Sequence, residues 1–108
     1  MPVDPRELLP LKPLVFQVLL ALTDGERHGW SLVREVQQRT GGERVLPANF
    51  YRTLRTMLAD ELIEEAGRSD DRRYFRATAL GRQAARLEAR RLQELLTDAR
   101  TRRLLRKT

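Results

Sequence analysis

The chain has 108 residues, of which 41% are hydrophobic and 33% charged, and its formal net charge is +6. This length fits one small domain, which often depends on a partner for stability. The absence of cysteine and the presence of a single histidine, His28, exclude disulfides, thiolate metal sites and histidine-rich metal sites. The apolar run over residues 14–22 is too short to span a bilayer and no signal-peptide pattern opens the chain, so we expect a cytoplasmic protein with no membrane partner.

The positive charge is concentrated in one part of the chain. Residues 1–78 contain 12 basic and 12 acidic side chains, whereas residues 79–108 contain 9 and 3. The high pI therefore does not by itself indicate a nucleic-acid partner, because the segment expected to form the compact head is neutral. Such a partner has to be argued from the arrangement of side chains.

Apolar spacing predicts the first two helices. The proline-rich residues 1–13 predict an irregular arm, and a helix with one apolar stripe follows and stops at Thr23-Asp24-Gly25. A second helix is predicted from His28 to about Arg39, ended by Gly41-Gly42. We expect His28 to be a solvated loop or helix-start residue and Trp30 to pack as a core or hinge aromatic.

A third helix is predicted over residues 47–60, and its two sides differ sharply. Pro47 suits the first turn, and an apolar stripe is formed by Phe50, Leu54, Met57 and Leu58. The opposite side has no carboxylate until Asp60 and presents Asn49, Arg52, Thr53 and Thr56, with Arg55 on the flank. These residue types reach base edges and phosphate oxygens, although a solvated face without carboxylates would have the same composition.

A two-stranded ribbon is predicted after the third helix. Residues 62–66 and 74–78 read as strands, separated by a polar turn over residues 67–73 that carries Arg68, Arg72 and Arg73. Three helices followed by a ribbon is the order of a winged helix-turn-helix, in which the third helix enters the major groove and the ribbon, the wing, follows the neighbouring backbone. The fold class is therefore mainly α with a small β-hairpin.

The C-terminal segment predicts a long helix and a second chain. Thr78 can cap a helix that runs from Ala79 to about Lys107 without proline. Apolar residues recur at the spacing of a coiled-coil seam, which predicts a homodimer held through Ala85, Ala89, Leu92, Leu95, Leu96 and Ala99. We expect only Leu80, Ala84 and Leu87 to fold back onto the head.

Four motifs within residues 14–91 carry a resemblance to a known family. They are His28-Gly29-Trp30-Ser31-Leu32-Val33, Asn49-Phe50-Tyr51 with Leu54 and Leu58, Leu62-Ile63, and, most specific of all, the run from Arg72 to Gly81. With these motifs, residues 14–91 resemble the PadR-type family of winged-helix transcriptional regulators. Three positions depart from the family pattern: Arg52 replaces a proline, Glu61 a glycine and Ala77 a leucine.

The resemblance implies a dimeric regulator, usually a repressor, that binds an inverted-repeat operator in double-stranded DNA and is released by a small-molecule effector.

The domain boundaries that we expect are an arm over 1–13, a DNA-binding head over 14–78 and a dimerisation helix over 79–108. We expect base contacts from Asn49, Arg52 and Thr53, and phosphate contacts from Tyr51, Arg55, the wing arginines and Ser31. The protein would act at the nucleoid.

Other classes of function are less well supported by the sequence. No nucleophile with a base, glycine-rich phosphate loop or metal-ligand cluster is recognisable, so we expect no catalytic residues, no cofactor and no enzyme. The alternative is a winged-helix protein–protein adaptor that does not bind DNA, which the neutral head favours but the Asn, Arg and Thr face opposes. RNA binding is disfavoured because we expect no exposed aromatic stacking platform.

Overall fold

The computed structural model describes residues 3–39 and 47–106. After a 3-10 helix over Pro5–Leu8 come α1 (Pro13–Ala21), β1 (Arg27–His28), α2 (Gly29–Arg39), α3 (Pro47–Ala59), β2 (Ile63–Ser69), β3 (Arg72–Ala77), α4 (Ala79–Thr97) and α5 (Ala99–Leu105). The predicted stop of α2 at Gly41-Gly42 lies outside the described residues. The order of three helices, wing and C-terminal helical segment agrees with the predicted fold class.

The core lies between the three head helices, the sheet and the start of α4. Each head helix buries one stripe, as the apolar spacing predicted, and β2 adds its first residue. The largest fully buried side chains are Phe50, Leu19, Leu32, Met57, Ile63, Val18 and Val36. With α3 held by its apolar stripe, the opposite side of that helix is left at the surface.

The wing differs from the predicted ribbon in two ways. Its strands run through most of the predicted turn, so that only Asp70 and Asp71 connect them, both with positive φ. A third strand, β1, pairs antiparallel with β3 on the side away from β2. The short β1 was missed because two residues carry no period-2 signal, and this strand places His28 opposite Tyr74.

The connection from α3 to β2 is tight although Glu61 occupies the position of a glycine. Glu61 has a φ of 60°, and the Leu62 and Glu61 N–H groups donate to the carbonyls of Met57 (2.9 Å) and Leu58 (3.1 Å). This pair of bonds is a Schellman motif, which normally has glycine in the left-handed position. The chain therefore retains the glycine turn with a residue that is strained there.

Part of the N-terminal segment, for which an irregular arm was predicted, forms a 3-10 helix over Pro5–Leu8 that packs on α4. The Asp4 carboxylate accepts a hydrogen bond from the Arg6 backbone N–H (2.9 Å) at the start of the 3-10 helix, which packs on α4. Leu11 is buried, and its N–H donates to Oε1 of Glu88 (3.3 Å). The apolar positions of this segment thus extend the core onto α4.

The long C-terminal helix is interrupted, which corrects the prediction of one continuous rod. Thr78 caps α4 as predicted, accepting a hydrogen bond from the Gly81 N–H (3.0 Å). Asp98 then leaves helical geometry, with φ −61° and ψ 135°, and its carboxylate accepts from the Arg100 N–H (2.8 Å) to start α5. An aspartate that caps a new helix competes with continuation of the preceding one.

Candidate nucleic-acid interface

The face of α3 away from the core is exposed and free of carboxylates. Asn49, Arg52, Arg55 and Thr56 are exposed and Thr53 is half-buried. No acidic residue occurs between Pro47 and Ala59. A phosphate oxygen or the electronegative edge of a base could approach this helix without meeting a like charge.

The two threonines of this face use their hydroxyl protons within the helix. Thr53 donates to the Asn49 carbonyl (3.0 Å) and Thr56 to the Arg52 carbonyl (3.1 Å). Each hydroxyl therefore keeps its acceptor lone pairs and its methyl group for outward contacts. Such a threonine can accept from the amino group of cytosine or adenine, or touch the methyl group of thymine.

The arginines of the head fall into two groups according to their partners. Carboxylates engage Arg27, Arg39, Arg73 and Arg76. In contrast, the guanidinium groups of Arg34, Arg52, Arg55 and Arg68 make no hydrogen bond or ion pair with any other described residue. The head is neutral in sum, but the described guanidinium groups that make no ion pair include those of Arg34 on α2, Arg52 and Arg55 on α3, and Arg68 on the wing.

The three predicted wing arginines differ in the contacts that their guanidinium groups already make. Arg73 makes two hydrogen bonds to the Glu65 carboxylate (3.1 and 3.2 Å), lowering the pKa of that carboxyl, and its guanidinium lies 5.3 Å from the centre of the Phe75 ring. A guanidinium nitrogen of Arg72 is 3.3 Å from Nε2 of His28. Arg68 is exposed and is the most available of the three for a phosphate.

His28 connects α2 to the wing, a role that its sequence context did not indicate. Nδ1 of its ring accepts a hydrogen bond from the Ser31 N–H (3.2 Å) at the first turn of α2, and the ring packs edge-on against Tyr74 at 5.6 Å. The expected position at a helix start is correct, but the residue is half-buried. Ser31 is half-buried beside it, in a shallow depression that Arg34 and Arg72 also line.

A cleft separates α3 from the wing. Its volume is about 480 Å³, within the range typical of ligand sites. Tyr51 and Arg55 of α3 line it together with Arg68 and Arg72 of the wing, and Leu54 and Phe75 contribute apolar surface. The predicted phosphate-contacting residues of α3 and the wing therefore share one concave surface, on which Asp71 is the carboxylate.

Trp30 lines this cleft and is exposed, which corrects the expectation that it packs as a core or hinge aromatic. Its side chain is 59% exposed and Tyr51 is 40% exposed. The Tyr51 ring is held edge-on to Phe50 at 5.9 Å, and it approaches Gly29 so closely that a Cβ there would lie 3.3 Å from the ring. The described surface thus has exposed aromatic residues beside arginines, contrary to expectation.

The predicted dimerisation residues do not all lie at the surface. Ala85 is buried in the core of its own chain together with Ala84, which was expected to fold back. Ala89, Leu95, Leu96 and Ala99 are exposed and Leu92 is half-buried. Because Asp98 interrupts the helix, Ala99 belongs to α5 and does not continue a straight seam.

Two other kinds of site are not found in the described ranges. Residues 3–39 and 47–106 contain no group of three or more histidine, aspartate or glutamate side chains placed to hold a metal ion. None of the described helices has the length and apolar character needed to cross a membrane.

Comparison with known proteins identifies the family of the chain. Residues 18–87 match the model of the transcriptional regulator PadR-like family. Over 84 residues the chain is 38% identical to transcriptional regulator Rv3488 of Mycobacterium tuberculosis, covering 75% of this chain and 77% of that protein.

Solved structures show the same fold at lower identity. RosR of H. salinarum superposes with a TM-score of 0.72 at 21% identity, over 92% of this chain and 90% of that one. A PadR family transcription regulator from Clostridium difficile R20291 gives a TM-score of 0.62 at 17% identity, over 79% and 95%. The chain belongs to the PadR-like family of transcriptional regulators, which are DNA-binding proteins and not enzymes.

Proposed function

We propose that the protein acts as a homodimeric repressor on an inverted-repeat operator, with α3 of each protomer in the major groove and each wing on the flanking backbone. The observation that carries this proposal is the exposed α3 face without carboxylates, beside arginines whose guanidinium groups make no ion pair with a described carboxylate. In a two-fold dimer, two such helices about 34 Å apart would match successive major grooves on one side of the duplex.

Within that complex, Asn49, Arg52 and Thr53 would contact bases. Asparagine suits adenine and arginine suits guanine, and each good bidentate contact contributes about 1–3 kcal/mol of discrimination. Tyr51, Arg55, Arg68 and Arg72 would contact phosphates around the cleft. Arg73 is assigned the weakest contact, because Glu65 already occupies its guanidinium.

Ser31 would hold a phosphate at the start of α2. The Ser31 hydroxyl makes no hydrogen bond with another described residue, and its backbone N–H is taken by His28. Arg34, whose guanidinium has no partner among the described residues, lines the same depression. We add Arg34 to the phosphate contacts on this ground.

The dimer would form through α4 and α5. Leu95, Leu96, Leu104 and Leu105 are more than half exposed in the single chain, which is unusual for four large apolar residues so close in sequence. Ala89 borders an apolar groove of about 260 Å³ between α1 and α4, lined also by Leu19 and Leu20. Burial of each leucine would contribute roughly 1.5–3 kcal/mol, enough in sum to hold two protomers.

A small-molecule effector would release the operator by changing how α4 of each protomer is set against its head. The hydrogen bond from the Leu11 N–H to Glu88 supports this part of the proposal, because it ties the N-terminal segment to the helix that would move.

Light scattering and a gel-shift titration test the proposal together. The wild type should be a dimer and should shift its own upstream DNA, with an affinity that falls steeply between low and physiological salt. Leu96→Glu should yield monomers and lose operator affinity at least tenfold, whereas the matched change Gln93→Glu, at an exposed α4 position off the seam, should affect neither. A monomeric wild type with no shift at low salt would favour the adaptor alternative.

A further inference from the structure

Trp30 separates two depressions that both carry arginine. On one side lies the cleft of about 480 Å³ with Arg55, Arg68 and Tyr51, and on the other a depression of about 430 Å³ with Arg34. His28, Trp30 and Arg72 line both. The surface is therefore continuous, with an aromatic ridge in the middle and guanidinium groups on each side.

The side chains of this surface are available to bind a ligand. Trp30 and Tyr51 are exposed, and neither the Trp30 indole N–H nor the Tyr51 hydroxyl bonds to another described residue. The guanidinium groups of Arg34, Arg55 and Arg68 likewise make no hydrogen bond or ion pair with another described residue. The carboxylate of Glu35 beside Arg34 is already bound by Arg27 and Arg39, which leaves Asp71 as the opposing charge of the surface.

We infer that this surface, the Trp30 surface, binds single-stranded nucleic acid. Bases would stack on the Trp30 and Tyr51 rings, and the phosphates between them would lie against Arg34, Arg55, Arg68 and Arg72. Exposed aromatic rings along a positively charged groove are what proteins use to hold unpaired bases, because every base has a face that can stack. A Watson–Crick duplex keeps its bases stacked on one another and offers no free face to Trp30.

Single-strand binding goes beyond operator recognition, although it would use Tyr51 and four arginines that are also proposed duplex contacts: Arg34, Arg55, Arg68 and Arg72. Binding of a single strand and of an operator would therefore exclude each other. A transcript or an unwound DNA strand could then compete with the operator. The same stacking and phosphate chemistry serves DNA and RNA, so the sugar has to be identified by experiment.

The test uses oligonucleotides that cannot pair with themselves. Trp30 is the only tryptophan of the chain, so its fluorescence reports on this surface alone. A deoxyuridine hexanucleotide or a uridine hexanucleotide should quench it in a saturable way at low salt, and the tighter of the two identifies the sugar, since the two carry the same base. An abasic hexanucleotide carries the same phosphates without bases and should bind more weakly, with little quenching. Equal affinity for the abasic chain, or no saturable quenching by either base-bearing chain, would overturn the inference.

Variants locate the binding site and distinguish a loss of single-strand binding from a loss of operator binding. With labelled hexanucleotides, Trp30→Ala should weaken binding by about 5- to 150-fold, the value of one stacked base, and Trp30→Phe should restore most of it. Arg90→Gln, an exposed α4 arginine without a described partner, should change nothing. Operator affinity should stay within about threefold in Trp30→Ala, since Trp30 is not among the duplex contacts. Unchanged hexanucleotide affinity in a folded Trp30→Ala protein would refute the inference while leaving operator binding intact.

Discussion

The Glu88 carboxylate accepts hydrogen bonds from two nitrogens of the Arg91 guanidinium, at 2.8 and 2.7 Å, although the Glu88 side chain is only 3% exposed. The same carboxylate accepts from the Leu11 N–H. One buried acid on α4 therefore holds the N-terminal segment in place. In the proposed dimer this contact would help to fix the direction of α4 relative to the head.

Glu88→Gln should destabilise the protein by about 1.5–3 kcal/mol, because hydrogen bonds to an ionised partner are replaced by weaker ones. Urea unfolding at neutral pH measures this. The matched change Glu94→Gln, at an exposed position of the same helix, should cost much less.

The stability of the wild type should also depend on pH through Glu88. The hydrogen bonds from Arg91 lower the pKa of the Glu88 carboxyl below the ordinary value of 4.5, against the opposing effect of burial, with a further contribution from the Leu11 N–H. A lowered pKa stabilises the fold above the unfolded value, and this contribution disappears as the pH falls through the folded value. Unfolding free energies between pH 6 and about pH 3 should therefore fall less steeply in Glu88→Gln than in the wild type. Parallel curves would contradict this assignment.

Glu61→Gly should stabilise the protein by about 0.5–1 kcal/mol. Glycine removes the left-handed strain of roughly 1–2 kcal/mol, and part of the gain is offset by the greater freedom of glycine in the unfolded chain. Thermal unfolding of Glu61→Gly and Glu61→Ala separates the causes, since only the glycine variant relieves the strain. A glycine variant no more stable than the alanine variant would show that the turn is not strained.

Gly81→Ala should destabilise the protein by about 1–3 kcal/mol, the usual cost of overpacking. A Cβ at this position would overlap the Leu62 carbonyl oxygen, a backbone atom that also accepts the Thr78 N–H (3.1 Å). Thermal unfolding measures the loss. Gly25→Ala is a comparison at an open position of positive φ, and it isolates backbone strain from steric overlap. Little loss in Gly81→Ala would mean that α4 can move away from Leu62.

Arg68 and Arg73 should respond differently to the same substitution. Arg68→Gln should weaken operator binding at every sequence and lower the slope of affinity against salt by about 1, as expected for one lost phosphate contact. Arg73→Gln should change the slope less, because Glu65 already neutralises that guanidinium. Equal salt slopes in the two variants would place Arg73 on the DNA despite its pairing.

Apolar periodicity was sufficient to predict the head helices, because each buries a single stripe of its own sequence. The polar face of α3 could be predicted for the same reason. The cap at Thr78 could be predicted because it depends on neighbouring residues alone.

Features that depend on distant residues were not predicted. The pairing of β1 with β3 places His28 beside Arg72, a relationship between residues 44 positions apart. The exposure of Trp30 depends on the surface that α3 and the wing leave uncovered, which helical spacing does not describe. The break between α4 and α5 at Asp98 was not predicted, although aspartate is a residue that favours the start of a new helix.

The central claim is that the exposed face of α3 reads the operator sequence, and Arg52→Ala tests it most directly. Its affinity should be titrated against the cognate operator and a scrambled duplex of the same length and salt, with Arg90→Ala as a control for lost charge. We predict that Arg52→Ala loses affinity for the operator by about 5- to 150-fold and loses much less for the scrambled duplex, so that discrimination falls with affinity. Equal losses on both duplexes, or losses no larger than those of Arg90→Ala, would contradict base reading by this helix.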